Sequence, residues 1–179
     1  MKILVDMDGV LANFEKRVLD TYRTTHPNKL FIPLEERTTF YVKEQYPLEL
    51  QPLVEAIYLA PGFYRSLPQI EGSFEALSNL KQRGHDIFIC TAPLPEYQHC
   101  ILEKYQWVEE QLGSEWVKKI IVTNDKTLVR GDYLIDDKPS IKGLEIPTWE
   151  HILFEQPYNR FVDSKRRINW ANWQSILEI

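Results

Sequence analysis

The chain begins with MKILVDMDGVLA (residues 1–12), and the pattern of this stretch decides the predicted fold. The apolar run at residues 3–5 is typical of a short buried strand. Two carboxylates, Asp6 and Asp8, follow where that strand would end, and Gly9 indicates a turn. Two acids so close together repel each other and lose hydration unless a cation or a protonated partner relieves the cost. The pattern therefore favours a metal-dependent phosphoryl-transfer enzyme over a structural protein.

Length and composition are those of an ordinary globular protein. The 179 residues are enough for one domain, or for a core domain with a smaller insertion, and 44% of them are apolar. The formal net charge of −5, from 21 basic and 26 acidic residues, argues against a nucleic-acid polymer as partner. A small phosphorylated substrate remains compatible with that charge, because a metal ion and one or two lysines can reverse the local sign.

No segment of the sequence resembles a signal or transit peptide, and no apolar run approaches the roughly 18 residues of a membrane span. The two cysteines, Cys90 and Cys100, form no CxxC motif and have no histidine at zinc spacing. We expect both to be reduced thiols in a cytoplasmic protein without a membrane partner, the alternative being a disulfide in a secreted domain.

From Gly72 onward, helical and strand patterns alternate along the sequence. Apolar runs predict strands at residues 87–90, 120–122, 133–135 and 152–154, in addition to the first one. Helical spacing predicts helices over 74–80, over 100–112 and over 170–177. Continuous apolar strands separated by helices are typical of α/β proteins. The prediction is a Rossmann-like parallel sheet with helices on both faces.

Residues 14–70 differ from the rest of the chain. This segment has no strong strand pattern, six prolines and many aromatic residues. It predicts a small helical cap inserted after the first strand, hereafter the cap segment. The predicted organisation is therefore a core domain formed by residues 1–13 and 71–179 and a cap at 14–70.

Polar residues follow each of the first four predicted strands, as DMDG at 6–9, TAP at 91–93, TNDK at 123–126 and DDKP at 136–139. Ligands of open α/β sheets bind beyond the carboxyl ends of the strands, so these four segments are expected to converge. Together they supply carboxylates, a hydroxyl and a cation. Phosphoryl transfer requires such a set: a nucleophile, a general acid, oxygen ligands for a hard cation and donors to phosphate oxygens.

The order DMDGV, Thr, Lys and Asp-Asp resembles the phosphatases of the haloacid dehalogenase (HAD) superfamily. Within it, the chain is similar to the 5'(3')-deoxyribonucleotidases in the stretches DMDGVLANFE, FYVKEQYP, ICTAP, EKYQWVE, NDKTLVRGDYLIDDKP and PTWEHILF. This resemblance spans nearly the whole chain. It implies a HAD-like core with a cap. It also implies a Mg²⁺-dependent phosphoric monoester hydrolase that acts on deoxyribonucleoside monophosphates, with dUMP and dTMP expected as substrates.

The resemblance also implies roles for the four aspartates. Asp6 would attack phosphorus and form an aspartyl-phosphate. Asp8 would protonate the leaving oxygen and then activate water. The metal would be bound by the Asp6 carboxylate, the Asp8 backbone carbonyl and Asp137, and Asp136 would act on it through another ligand or through a water. The sequence alone leaves open which of Asp136 and Asp137 binds the metal directly.

Substrate-binding residues follow from the same resemblance. Thr91 and the backbone N–H of Ala92 would bind phosphate oxygens, and Lys126 would neutralise the transferred group. Lys138 could face the substrate or the solvent. The nucleoside would contact Phe14, Phe40, Tyr41, Val42 and Leu94. Core packing is the alternative for the aromatic residues, and a tyrosine at 41, where the family leads us to expect tryptophan, leaves the base preference open.

Other functions compete with this interpretation. The same chemistry could act on a sugar phosphate or another small phosphometabolite, although aromatic residues favour a flat base. A phospho-receiver module also combines acids, Thr, Lys and Mg²⁺, but there the acidic pair comes early and a separate central aspartate accepts the phosphate. A non-catalytic nucleotide-binding module is disfavoured because every catalytic position is filled. The oligomeric state, monomer or homodimer, stays open.

Overall fold

Six parallel strands form one sheet in the computed structural model, which describes residues 1–179. Their spatial order is β3-β2-β1-β4-β5-β6, so the chain builds the sheet outward from β1 to one side and then to the other. The predicted Rossmann-like parallel sheet is confirmed. The strands are β1 (Lys2–Val5), β2 (Asp86–Thr91), β3 (Ile120–Val122), β4 (Tyr133–Asp136), β5 (Glu150–Phe154) and β6 (Arg167–Ile168).

The central strand β1 fixes where the first acidic segment emerges. All three of its apolar residues are fully buried, as expected for a parallel strand covered on both faces. Val5 lies opposite Ile89 of β2 and Ile135 of β4, so the three strands end nearly level. The N–H of Asp6 then donates to the carbonyl of Ile135 at 2.9 Å. Asp6 therefore emerges between the ends of its two neighbours.

Six α-helices accompany the sheet, and those predicted after Gly72 are present with adjusted ends. The last one begins at Trp173 rather than at 170, because the Asn169 side chain first accepts the N–H groups of Ala171 and Asn172 in a turn. The helices are α1 (Phe14–Thr25), α2 (Gln51–Leu59), α3 (Ser73–Gln82), α4 (Tyr97–Leu112), α5 (Ser114–Val117) and α6 (Trp173–Leu177).

The cap segment contains α1, α2 and three short 3₁₀ turns, and it adds no strand to the sheet. The Asn13 side chain accepts from the N–H of Lys16 and begins α1. The two ends of the segment meet, because the N–H of Asn13 donates to Pro68 and that of Ile70 to Leu11. The chain therefore leaves the core after β1 and returns to the same place.

Helix α4 attaches the end of the cap segment to the core. Its Glu103 carboxylate accepts the backbone N–H groups of Gly62 (2.6 Å) and Tyr64 (3.0 Å). Its Trp107 indole donates to the carbonyl of Leu67 at 2.8 Å. These hydrogen bonds satisfy buried polar groups on both partners and fix the position of α4 beside the sheet edge.

The two cysteines are buried and unpaired, as predicted. Cys90 lies in β2 and Cys100 in α4. None of the helices combines the length and the apolar character that crossing a membrane would require.

Candidate active site

The carboxyl ends of three adjacent strands place the predicted polar residues at one sheet edge. Thr91 ends β2, Asp6 follows β1, and Asp136 ends β4. Lys126 reaches the same place from the 3₁₀ turn Lys126–Leu128, whose start is fixed by the Asp125 side chain accepting from the N–H of Thr127. One cavity of about 450 Å³ is lined by Asp6, Thr91, Lys126 and Asp136.

Lys126 bridges two of the aspartates. Its ammonium nitrogen lies 2.9 Å from Oδ1 of Asp6 and 2.5 Å from Oδ2 of Asp136, and its side chain is buried. Burial opposes the charged form, but the carboxylates of Asp136 and Asp6 raise the pKa of Lys126 above its ordinary value. The lysine therefore stays protonated beside Asp6.

A second lysine, Lys104 of α4, pairs with Asp8 in the same way and was not predicted from the sequence. Its ammonium nitrogen lies 2.8 Å from Oδ2 of Asp8, 2.6 Å from the hydroxyl of Thr91 and 2.8 Å from the carbonyl of Ala92. Only 1% of this side chain is exposed. Asp6 and Asp8 are thus held in separate ion pairs, each with its own lysine.

The position of Lys104 on α4 is the feature of the sequence that could have indicated its role. Cys100, Lys104, Trp107 and Val108 follow helical spacing and are all buried. A search for apolar side chains passes over a lysine on such a stripe. A charged residue is rarely buried unless it has a partner, so its position within the apolar pattern was itself the indication of a functional contact.

Three aspartates form a group able to hold a cation. One carboxylate oxygen each from Asp6, Asp136 and Asp137 lie within 4.8 Å of one another. Asp136 already uses both of its oxygens, since Oδ2 pairs with Lys126 and Oδ1 accepts from the N–H of Lys138 at 2.9 Å. Oδ1 of Asp137, in contrast, is buried and has no hydrogen-bond partner.

The electrostatics of this cluster fit a divalent cation. Burial raises the pKa of Asp137 well above its ordinary value, and the charges of Asp136 and Asp6 add to that shift. Burial likewise raises the pKa of Asp6, against the opposing charge of Lys126. Clustered carboxylate oxygens are the ligands that Mg²⁺ prefers, and a cation among them relieves both the repulsion and the unpaired oxygen.

The remaining part of the cavity is apolar and aromatic. Phe14 packs against Tyr58, Phe63 and Tyr64, with ring centroids 5.3 to 6.2 Å apart, so it belongs partly to the core of the cap segment. Tyr41 is half exposed at the cavity rim. The structure brings all of the predicted nucleoside contacts to this cavity, namely Phe14, Phe40, Tyr41, Val42 and Leu94, together with Ala92.

Lys138 lies between core and cap segment. Its ammonium nitrogen is 5.3 Å from the ring centroid of Phe40 and 5.6 Å from that of Tyr41. It therefore faces the cavity rather than open solvent. The cavity is also lined by Tyr58, Tyr64 and Tyr158, which were not predicted because each lies in an ordinary helical or loop pattern.

A family model covers the whole chain. The family described as 5' nucleotidase, deoxy (pyrimidine), cytosolic type C protein (NT5C) matches residues 1–179. The chain belongs to this family. The resemblance based on the motif order is thereby confirmed, and NT5C membership also confirms the predicted enzyme class, a phosphoric monoester hydrolase.

A curated relative agrees with the NT5C assignment, and solved structures agree with the fold. The chain is 44% identical over 188 residues to the cytosolic-type 5'(3')-deoxyribonucleotidase of Homo sapiens, covering 99% of this chain and 94% of the human protein. A HAD family hydrolase from Deinococcus radiodurans R1, with bound phosphate and sodium, has a TM-score of 0.60 at 15% identity and covers 98% and 94% of the two chains. A magnesium-bound HAD-hydrolase from Bacillus subtilis has a TM-score of 0.59 at 16% identity and covers 99% and 98%. These two structures confirm the HAD fold.

Proposed function

We propose that this protein is a Mg²⁺-dependent 5'(3')-deoxyribonucleotidase that hydrolyses deoxyribonucleoside monophosphates to deoxyribonucleoside and phosphate. The observation that carries the proposal is the pair of aspartates, Asp6 and Asp8, each held by its own buried lysine beside an aromatic cavity. The 44% identity to the human cytosolic-type 5'(3')-deoxyribonucleotidase supports the same activity.

In the first step, Asp6 is the nucleophile. Its carboxylate oxygen attacks phosphorus, the bond from phosphorus to the nucleoside oxygen breaks, and an aspartyl-phosphate forms on Asp6. Lys126 supports this role because its positive charge, 2.9 Å away, favours the ionised carboxylate. The same ammonium group offsets the negative charge on the phosphoryl oxygens.

Asp8 donates the proton that the leaving nucleoside oxygen needs. Desolvation raises the pKa of Asp8, while Lys104 opposes the shift, so its carboxyl group can hold a proton nearer to neutral pH than an exposed aspartate. In the second step Asp8 takes a proton from water, whose oxygen attacks phosphorus. The bond between Asp6 and phosphorus breaks, phosphate is released, and Asp6 returns to its carboxylate form.

Thr91 and Ala92 bind the phosphate oxygens in this proposal. The Thr91 hydroxyl accepts from Lys104, which leaves its own hydrogen free to donate to the substrate. Lys104 also fixes this segment of the backbone, because its ammonium group donates to the Ala92 carbonyl at 2.8 Å. Lys104 is therefore assigned to hold both the acid and the phosphate-binding segment in place.

The proposed metal ligands are the carboxylates of Asp6 and Asp137 and the backbone carbonyl of Asp8. Asp136 is proposed to hold Lys126 in place without binding the metal itself, because both of its oxygens already have partners. When bound, Mg²⁺ would neutralise charge on the phosphate oxygens as phosphoryl transfer proceeds.

The cap segment (14–70) is proposed to act as a separate cap over the core formed by 1–13 and 71–179. It contributes Phe14, Phe40, Tyr41 and Val42 to the cavity, and Leu94 comes from the core side. Flat aromatic surfaces suit a nucleoside base better than a sugar. We propose dUMP and dTMP as preferred substrates and, on the likeness to the human cytosolic type, a cytoplasmic location.

Phosphate release from a panel of nucleoside monophosphates and sugar phosphates, with Mg²⁺ and with EDTA, tests the proposal. We expect metal-dependent release that is greatest on dUMP or dTMP. Greatest release from a sugar phosphate would contradict the nucleotide assignment, and full release in EDTA would contradict the metal requirement.

The covalent mechanism has its own test. Asp6→Asn should abolish release in a protein whose circular dichroism is unchanged, whereas Asp20→Asn, at an exposed position of α1, should keep full activity as the matched control. Substantial turnover by a folded Asp6→Asn variant would eliminate the aspartyl-phosphate step.

A further inference from the structure

A short turn after β5 contacts both acidic segments of the site. The turn spans residues 156–159, in which the Gln156 and Asn159 side chains bind each other's backbone N–H groups. The Gln156 amide donates to the carbonyl of Gly9 at 2.7 Å. The Asn159 amide donates to the carbonyls of Asp137 and Phe154, each at 2.8 Å. This turn therefore joins the DMDG and DDKP segments.

Tyr158 lies in the middle of that turn and binds the Asp137 side chain. Its hydroxyl donates to Oδ2 of Asp137, and 5% of the residue is exposed. The ring is fixed from the side of the cap segment, where the Phe40 ring centroid and the Arg37 guanidinium each lie 5.9 Å away. The Tyr158 hydroxyl therefore has a defined position and is not free to follow Asp137.

The contacts of Asp137 leave one of its oxygens available. Asn159 binds its backbone carbonyl and Tyr158 binds Oδ2, whereas Oδ1 is buried without a hydrogen-bond partner. A buried carboxylate oxygen without a partner is costly unless something binds it. Of the two adjacent acids, Asp137 alone has such an oxygen.

We propose that Tyr158 is a positioning residue that holds Oδ2 of Asp137 and thereby presents Oδ1 to the divalent cation. The inference rests on the metal site of the proposed function and adds the residue that sets its affinity. Ligating carboxylates are commonly oriented by such hydrogen bonds, and loss of one typically costs ten- to a hundredfold in metal affinity. In the competing explanation, the Tyr158 ring only fills space against Phe40, and phenylalanine would serve equally well.

Metal binding by Tyr158→Phe separates these explanations. The substitution keeps the ring and removes only the hydroxyl. Tyr22→Phe is the matched control, because Tyr22 is fully buried in α1 and its hydroxyl has no partner. Two measurements give the metal affinity without substrate. Isothermal titration calorimetry measures Mg²⁺ binding, and electron paramagnetic resonance measures Mn²⁺ binding. We expect Tyr158→Phe to bind both ions about ten- to a hundredfold more weakly and Tyr22→Phe to bind them as the wild type does.

Kinetics supply a second readout. The Mg²⁺ concentration for half-maximal phosphate release should rise for Tyr158→Phe, while kcat at saturating Mg²⁺ stays within a few-fold of wild type. Equal metal affinity of Tyr158→Phe and wild type would overturn the inference and leave the proposed function intact. So would a Tyr158→Phe variant that is unfolded without metal, because the hydroxyl would then be structural. A wild-type protein that binds neither ion and is active in EDTA would instead overturn the metal-dependent function.

Discussion

Replacing Gly9 by alanine tests whether the close approach of the two acidic segments determines the proposed metal site. Gly9 has a φ of +77°, a left-handed conformation that costs a residue with a Cβ about 1–2 kcal/mol. An alanine Cβ would also collide with Oδ2 of Asp137 and lie 2.8 Å from its Cγ, whereas ordinary contacts are 3.4 Å or longer. The Asp137 carboxylate would therefore have to retreat.

The size of that retreat sets the expected effect. The distance of 2.8 Å from the alanine Cβ to Cγ of Asp137 is about 0.6 Å shorter than an ordinary contact, so the carboxylate must move by about that much. Such a movement is large for a ligand that Mg²⁺ must hold at about 2.0–2.1 Å. We expect the affinity of Gly9→Ala for Mg²⁺ to fall at least about tenfold, or about 1.4 kcal/mol, and phosphate release to require correspondingly more Mg²⁺. Isothermal titration gives the affinity, and urea unfolding without metal gives the stability.

Gly84→Ala is the matched control for backbone strain. Gly84 follows α3 with a φ of +83°, and a Cβ there would meet nothing within 4 Å. Its alanine variant should lose about 1–2 kcal/mol of unfolding free energy and keep the Mg²⁺ affinity of the wild type. If Gly9→Ala also kept wild-type affinity, the contact between Gly9 and Asp137 would have no part in metal binding and the reasoning would be refuted.

Three further substitutions test other parts of the site. Lys104→Met should lower kcat about 10²- to 10⁴-fold in steady-state kinetics, because Asp8 loses the partner that holds it for proton transfer; a change of less than threefold would contradict that role. Tyr41→Ala should raise the KM for dUMP several-fold yet leave hydrolysis of p-nitrophenyl phosphate unchanged, and equal effects on both would remove Tyr41 from nucleoside binding. Burial raises the pKa of Glu15 from 4.5 to about 7 against the opposing charge of Arg37. Because the native state then binds more protons than the unfolded state, stability should fall by about 3 kcal/mol as pH rises from about 4.5 to 7. Urea unfolding at pH 4.5 and at pH 7 should show this loss of unfolding free energy in the wild type and not in Glu15→Gln.

The strand-end residues were predictable because local pattern and topology determine them together. A short apolar run predicts a buried strand, and parallel strands place their carboxyl ends at one edge. Asp6, Thr91, Lys126 and Asp136 therefore converge once the sheet is assumed, and the family resemblance assigned their chemistry. Strand β6 was not predicted, because two residues, Arg167 and Ile168, are too short to show a period.

The contacts that orient these residues could not be predicted in the same way. Lys104 reaches Asp8 across 96 positions of sequence, and Tyr158 reaches Asp137 across 21. Neither contact can be predicted from local periodicity, since each depends on how a helix or a turn packs against the sheet edge. The proposal that Asp137 is the direct ligand likewise rests on the hydrogen-bond partners of the two acids, which their order in the sequence does not reveal.

The charges of the site support the proposal that both lysines and a cation act in it. Four carboxylates, two in the DMDG segment and two in the DDKP segment, face the ammonium groups of Lys104 and Lys126, so with all groups ionised the cluster has an excess of negative charge. A phosphate dianion would be repelled from such a cavity unless a divalent cation balanced it. The two lysines do more than balance charge, because Lys126 follows β3 whereas Lys104 lies on α4. Carboxylates two residues apart can take different roles only in different environments, and ion pairs with lysines from separate elements provide that difference.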